Sequence, residues 1–240
     1  MPRRPRLVLP DVPLHLIQRG NNRQACFFAD EDYRCYLEWL AAYAQQTGCR
    51  VHAYALMTNH VHLLVSGAES GATGALMKAL GQRYVQYVNR VYRRSGSLWE
   101  GRYRSCPTQA ASYFLVCQRY IELNPVRARM VDHPAEYRWS SYRGNAQGAD
   151  DALLTPHPVY LALGADPASR QLAYRELFRC ELESGMVDQI RAATNGNFAL
   201  GDERFAAQIS TALGRRASRG RSGRPRVPPR PDSGDLRGID

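Results

Sequence analysis

Two histidines stand one residue apart in the stretch Met57-Thr58-Asn59-His60-Val61-His62-Leu63-Leu64-Val65. The run is apolar and β-branched and follows a Thr-Asn pair, the pattern of a turn entering a β-strand. Side chains alternate faces along a strand, so His60 and His62 point one way while Val61 and Leu63 point the other. Cβ atoms two residues apart lie roughly 7 Å from each other. Imidazoles at that spacing can share one metal ion. The same residues also suit a strand that turns its polar face to water. Two ligands are local, and a third has to come from elsewhere in the chain.

A second group is Cys117-Gln118-Arg119-Tyr120-Ile121-Glu122-Leu123-Asn124-Pro125-Val126-Arg127-Ala128-Arg129. Tyr120 and Asn124 are four apart and share a helical face, with Glu122 off it. Tyr113, Val116, Cys117 and Tyr120 form a stripe, so spacing alone reads Tyr120 as a core tyrosine. Periodicity does not choose among the 14 tyrosines. Arg127 and Arg129 suit either a cationic site or the end of a helix, where they complement its dipole.

The elements that carry these groups follow from pattern. Val12 to Arg19 alternates, with Val12, Leu14 and Leu16 against Pro13, His15 and Ile17. Asp30 reads as a helix N-cap, Tyr33, Tyr36, Leu37, Leu40, Ala41 and Ala44 as a buried stripe, and Gly48 as the stop. Arg50 to Met57 is a second strand, turned by Thr58-Asn59 into the His-x-His strand as an antiparallel hairpin. Ala75 to Arg94 is a long helix with Leu76, Leu80, Tyr84, Tyr87, Val88 and Val91 inward. Lys78, Arg83, Arg90, Arg93 and Arg94 lie on its other faces. Leu98 to Cys106 reads as a loop and a fourth strand carrying Arg102 and Arg104, and Gln109 to Leu123 as a helix stopped by Asn124-Pro125. The order β-α-β-β-α-β-α predicts an α+β fold, a ferredoxin-like antiparallel sheet with helices on one face. The expected division is a catalytic domain over 1–135, a helical extension over 136–214 with helices near 167–184 and 202–213, and a disordered Arg-rich tail over 215–240. Within that tail Gly223-Arg224-Pro225-Arg226 is like the core of a minor-groove-binding AT-hook.

The chain has 240 residues and a formal net charge of +10. Lys78 is its single lysine, so arginine supplies nearly all of its 32 basic residues. Arginine's planar fork suits phosphate contact and stacking on bases, which favours a nucleic-acid partner. The six cysteines include no Cys-x-x-Cys, which argues against a disulfide scaffold or a structural zinc site. No apolar run reaches the length of a membrane span and no secretory segment is evident, so the expected location is cytoplasmic.

An ordered set of motifs then resembles one family. Gln18-Arg19-Gly20-Asn21-Asn22, Met57 to His62, Leu98-Trp99-Glu100-Gly101-Arg102-Tyr103, Tyr120-Ile121-Glu122-Leu123-Asn124-Pro125-Val126-Arg127-Ala128 and Trp139-Ser140-Ser141-Tyr142 follow one another over residues 8–145. Together they resemble the single-tyrosine HUH transposases of small insertion sequences, and more narrowly the REP-associated tyrosine transposases. The resemblance implies a metal-dependent endonuclease and strand transferase. Tyr120 is then the nucleophile, forming a 5′-phosphotyrosine intermediate on hairpin-forming single-stranded DNA. His60 and His62 become ligands of Mg²⁺ or Mn²⁺, with Asn124 as third ligand where insertion-sequence relatives carry glutamine. Arg83, Arg90, Arg102, Arg104, Arg119 and Arg127 become the nucleic-acid contacts. Relatives act as dimers or alone, so the sequence leaves monomer and homodimer open. The alternatives are a non-catalytic binder of structured nucleic acid derived from a transposase, and a hydrolytic metal nuclease in which Tyr120 only packs.

Overall fold

A computed structural model describes residues 5–219. Residues 1–4 and the Gly223–Arg226 motif, with the rest of the chain beyond Arg219, lie outside the described residues. The core runs β1 (Leu14–Arg19), α1 (Asp30–Thr47), β2 (Cys49–Met57), β3 (His60–Gly67), α2 (Ala72–Val91) and β4 (Arg104–Pro107). The strands form one antiparallel sheet in the order β2-β3-β1-β4, the ferredoxin-like arrangement that the element order predicts. Gly48 ends α1 in the left-handed region at φ 66°, where a residue without Cβ carries no steric cost. The helix begins differently from expectation. Ala29 is its N-cap, and the buried Asp32 carboxylate takes the N–H groups of Phe28 and Ala29. Asp32 also accepts from the Tyr87 and Tyr92 hydroxyls, which ties α1 to α2.

Leu14, Leu16, Val61, Leu63 and Val65 face α1 and α2 and build an aromatic-rich core with Phe27, Tyr36, Tyr84, Trp99 and Trp139. Beyond the ferredoxin-like unit the chain crosses to the other face. There α3 (Ala110–Glu122) and the one-turn α4 (Asn124–Arg127) are followed by α5 (Tyr142–Gln147), α6 (Pro158–Leu161), α7 (Pro167–Glu176), α8 (Ser184–Gly196) and α9 (Glu203–Leu213). Ala53, Ala55, Leu64 and Cys106 of the sheet pack there against Phe114, Cys117, Tyr120, Ile121, Val187 and Ile190. Helix α8 lies within the expected helical extension, between the two helices near 167–184 and 202–213 that the sequence pattern singles out. The extension also closes both edges of the sheet. Leu56 donates to the Trp139 carbonyl at 2.9 Å and Thr155 to that of Val51 at 2.7 Å on the β2 side, while Leu200 donates to that of Pro107 at 2.7 Å beside β4. Of the segment from Arg215 onward, Ala217 is buried against Leu7 and Ile209.

Candidate active site

The parity of β3 decides which residues meet. Val61 and Leu63 go into the aromatic core, so His60 and His62 emerge on the opposite face, with ring centroids 4.9 Å apart. The strand begins at a two-residue turn whose Asn59 carbonyl accepts the Gly20 N–H at 2.8 Å. Gly20 is required at that approach, because a Cβ there would lie 2.2 Å from the Gln24 carbonyl oxygen. The loop then passes through Asn22 and Arg23, both left-handed at φ 50° and 59°. Asparagine tolerates that region, whereas for arginine it costs about 1 kcal/mol. The turn brings the Arg23 carbonyl to Asn59 Nδ2 at 3.1 Å.

Across the sheet β1 pairs Ile17 with His62 and Arg19 with His60, which puts His15 on the same face. His15 is fully buried, its Nε2 lies 2.8 Å from His62 Nδ1, and the two rings stack. Helix α3 brings Tyr120 to this pair, its ring edge-on at 5.7 Å from His15 and 5.9 Å from His62. Burial drives the imidazoles toward the neutral form. His15 falls to about 3 and His60 to about 4, in each case through burial first and a nearby arginine second, and His62 lies well below its ordinary value.

The residues after Tyr120 divide by direction. Arg127 from α4 lies over the Tyr120 ring at 4.1 Å and donates to its carbonyl at 2.5 Å. Burial lowers Arg127 to about 10, opposed by its interaction with Tyr120, so it stays cationic at neutral pH. Asn124 donates through Nδ2 to the carbonyls of Tyr120 and Ile121, which leaves Oδ1 as its acceptor. Glu122 belongs to a separate buried network, accepting from Ser141, Asn145 and Tyr174. Burial raises its carboxyl to about 7 against those three donors. Arg119 points to the extension, donating to the Cys180 carbonyl at 2.6 Å.

The other arginines occupy two places. Arg83 and Arg90 are exposed on α2, across the sheet from the histidines, with Arg83 over the Trp39 ring. Arg102 and Arg104 line an open cleft of about 310 Å³ with Arg6, Arg19, Asn195 and Asn197. Arg19 and Ile17, opposite His60 and His62, form the wall shared with the histidine site. Arg104 is fixed by Asn195 of α8, and Arg6 stacks on Tyr103.

Sequence reasoning missed His15, Arg19 and the part played by α8. The alternation of β1 did place His15 on the face away from Leu14 and Leu16. Among the described residues no three of His, Cys, Asp and Glu are grouped to hold a metal ion. The donors these residues offer are mixed: the Nε2 atoms of His60 and His62, neither engaged in a hydrogen bond among the described residues, and, on a separate element, the amide oxygen of Asn124. Nitrogen and oxygen donors of this kind suit a divalent cation that keeps positions open for phosphate oxygens. No helix among the described residues is long and apolar enough to cross a membrane.

Residues 9–124 match the family model described as IS200-like transposase. No curated protein matches the sequence. The solved structure of a REP-associated tyrosine transposase bound to a REP hairpin aligns with a TM-score of 0.51 and 13% identity, over 65% of this chain and 93% of that one. At this identity the likeness is one of fold. A candidate transposase from Deinococcus radiodurans R1 aligns with a TM-score of 0.36 and 23% identity, over 50% of this chain and 96% of that one.

Proposed function

We propose, from the match of residues 9–124 to the model of the IS200-like transposase family, that the protein nicks and rejoins hairpin-forming single-stranded DNA through a covalent link to Tyr120. The observation that carries this reading is the seating of Tyr120. Of the 14 tyrosines, it is the one whose ring lies edge-on to both His15 and His62, with a guanidinium over it.

In the proposed reaction the Tyr120 hydroxyl oxygen attacks the scissile phosphorus, the bond from phosphorus to the 3′ oxygen breaks, and the proton lost by the phenol balances the one gained by that leaving oxygen. The products are a 5′-phosphotyrosine bond and a free 3′-OH. The energy of the phosphodiester is kept in that link, so attack by a 3′-OH rejoins strands and releases Tyr120. The Arg127 guanidinium over the Tyr120 ring places a cation beside the attacking residue. A divalent cation, Mg²⁺ or Mn²⁺, held by His60, His62 and Asn124, would polarise the phosphate. The cleft with Arg6, Arg19, Arg102 and Arg104 seats the strand next to His60, its arginines meeting phosphates or stacking on bases. Arg83 and Arg90 face away from that path and are left to contact the remainder of the hairpin. Tyr120 folds back onto the sheet of its own chain, so one chain carries the full set of groups.

The test combines purified protein, Mn²⁺ and hairpin oligonucleotides from the DNA beside its own gene. A protein–DNA adduct that survives SDS is expected with wild type and absent with Tyr120→Phe. Equal adduct in both would remove Tyr120 as nucleophile. The commitment of the Asn124 amide to its own helix favours a second reading, a hairpin binder without chemistry. In that case His60→Ala leaves binding intact and no preparation yields adduct or cleaved strand.

A further inference from the structure

His60 and His62 can both offer Nε2 lone pairs only if each ring carries its proton on Nδ1. For His60 the cause is local. Asn59 donates through Nδ2 to the Arg23 carbonyl, so its Oδ1 faces His60 and accepts the Nδ1 proton at 2.6 Å. For His62 the cause begins far away in the chain. Thr194 on α8 has one hydroxyl proton, and the Ile190 carbonyl 2.8 Å away accepts it. Toward its remaining partners, the Cys106 thiol and His15 Nδ1, Thr194 Oγ1 can then only accept, and His15 Nδ1 lies 3.1 Å away and 179 residues distant in sequence. With its proton on Nδ1, His15 has a bare lone pair on Nε2. The His62 Nδ1 atom 2.8 Å from it is therefore the donor.

We propose that His15 and Thr194 are positioning residues that hold His62 in the Nδ1–H form and aim its Nε2 lone pair at the site. The inference rests on reading His60 and His62 as metal ligands. Ligating histidines commonly have the other ring nitrogen fixed by an acceptor. In this chain that acceptor is a third histidine, oriented in turn by a threonine outside residues 9–124. All members of the relay are buried, His15 and Thr194 fully. Water therefore does not compete to set the proton positions.

Long-range ¹H–¹⁵N spectra of the full-length, metal-free protein read the tautomers directly. His15, His60 and His62 are expected in the Nδ1–H form. Thr194→Val keeps the shape but removes the acceptor, so His15 and His62 should shift toward mixed tautomers while His60, held by Asn59, does not move. Mn²⁺ affinity should fall about 10- to 100-fold, and Thr194→Ser should restore both readouts. Should Thr194→Val fail to fold, His15→Phe removes the acceptor of His62 at similar size and carries the same expectation. A wild-type His62 protonated on Nε2 overturns the proposal, as does an unchanged His62 spectrum in a folded Thr194→Val or His15→Phe. The metal reading is judged apart: if Mn²⁺ leaves the His60 and His62 signals of wild type unbroadened, that reading fails, while the tautomer assignment stands or falls on the metal-free spectra.

Discussion

On the side of the sheet covered by α1 and α2, the strands contribute Leu14, Leu16, Val61 and Leu63, and the helices answer with Tyr36, Leu40, Leu76 and Tyr84. On the other side the same strands contribute His15, His60 and His62, and α3 and α8 answer with Tyr120 and Thr194. Adjacent residues of one strand thus serve opposite ends. The first side is filled by shape and area. The second is held by hydrogen bonds whose donors and acceptors must be in one arrangement, and a single missing atom there leaves a buried polar group unpaired. The inert side supplies the stability that lets the reactive side keep His15 and His62 neutral and out of water.

That contrast predicts different failures on the two sides. The largest effect belongs to Tyr84→Ala. Tyr84 is fully buried, touches Phe27, Tyr36 and Trp99, and donates to the Cys26 carbonyl at 2.7 Å. Its truncation should cost about 3–5 kcal/mol, read as a lower urea midpoint, with DNA binding abolished only where the fold is abolished. A stable Tyr84→Ala protein unable to bind DNA would erase the division between the two sides.

A smaller effect separates the arginines. Removing Arg102 and Arg104 together should weaken hairpin binding and lower its salt dependence by about one unit of slope for each phosphate that they neutralise. Removing Arg83 and Arg90, across the sheet, should leave adduct yield with a short single strand unchanged. The reverse pattern would move the strand to the α2 surface.

The smallest effect is a pH slope. His15 and His60 bind their protons at about 3 and 4 when folded and near 6.5 when unfolded. The unfolded chain therefore holds more protons in that window, and their contribution to stability is lost as pH falls from 6.5. Glu122 acts oppositely. Its pKa rises from 4.5 to about 7 on folding, so its contribution declines as pH rises between those values. Glu122→Gln should therefore steepen the gain in stability from pH 4.5 to 6.5, by at most about 1.4 kcal/mol per pH unit. Urea midpoints across that range measure it, and an unaltered slope would show Glu122 to be ionised throughout.

The sequence made the hairpin legible because Val61 and Leu63 alternate with His60 and His62, and β1 because Leu14 and Leu16 alternate with His15. The stripe through Val116, Cys117 and Tyr120 located α3 but gave no sign of what Tyr120 faces, since a buried tyrosine beside histidines and one among leucines share a periodicity. Helix α8 was legible as part of a helical region but not as a separate helix. Gly185, Thr194 and Asn195 are weak helix formers, and burial of Val187, Ile190 and Ala193 against the sheet holds the helix. The hydrogen bond between Thr194 and His15 leaves no trace in local pattern. The fourth strand is shorter than expected because Leu98 and Trp99 turn inward before Gly101, which sits at φ 134°.

The backbone of the extension along both margins of the sheet has a consequence for dissection of the protein. A chain ending at Asn124 would keep every residue matched by the family, yet it would bare the main-chain donors and acceptors of β2 and β4 that residues 139, 155 and 200 now occupy. Open strands of that kind recruit strands of other molecules. Such a fragment should polymerise side by side, with light scattering rising with its concentration, because the segment that looks like an appendage also covers the strand margins.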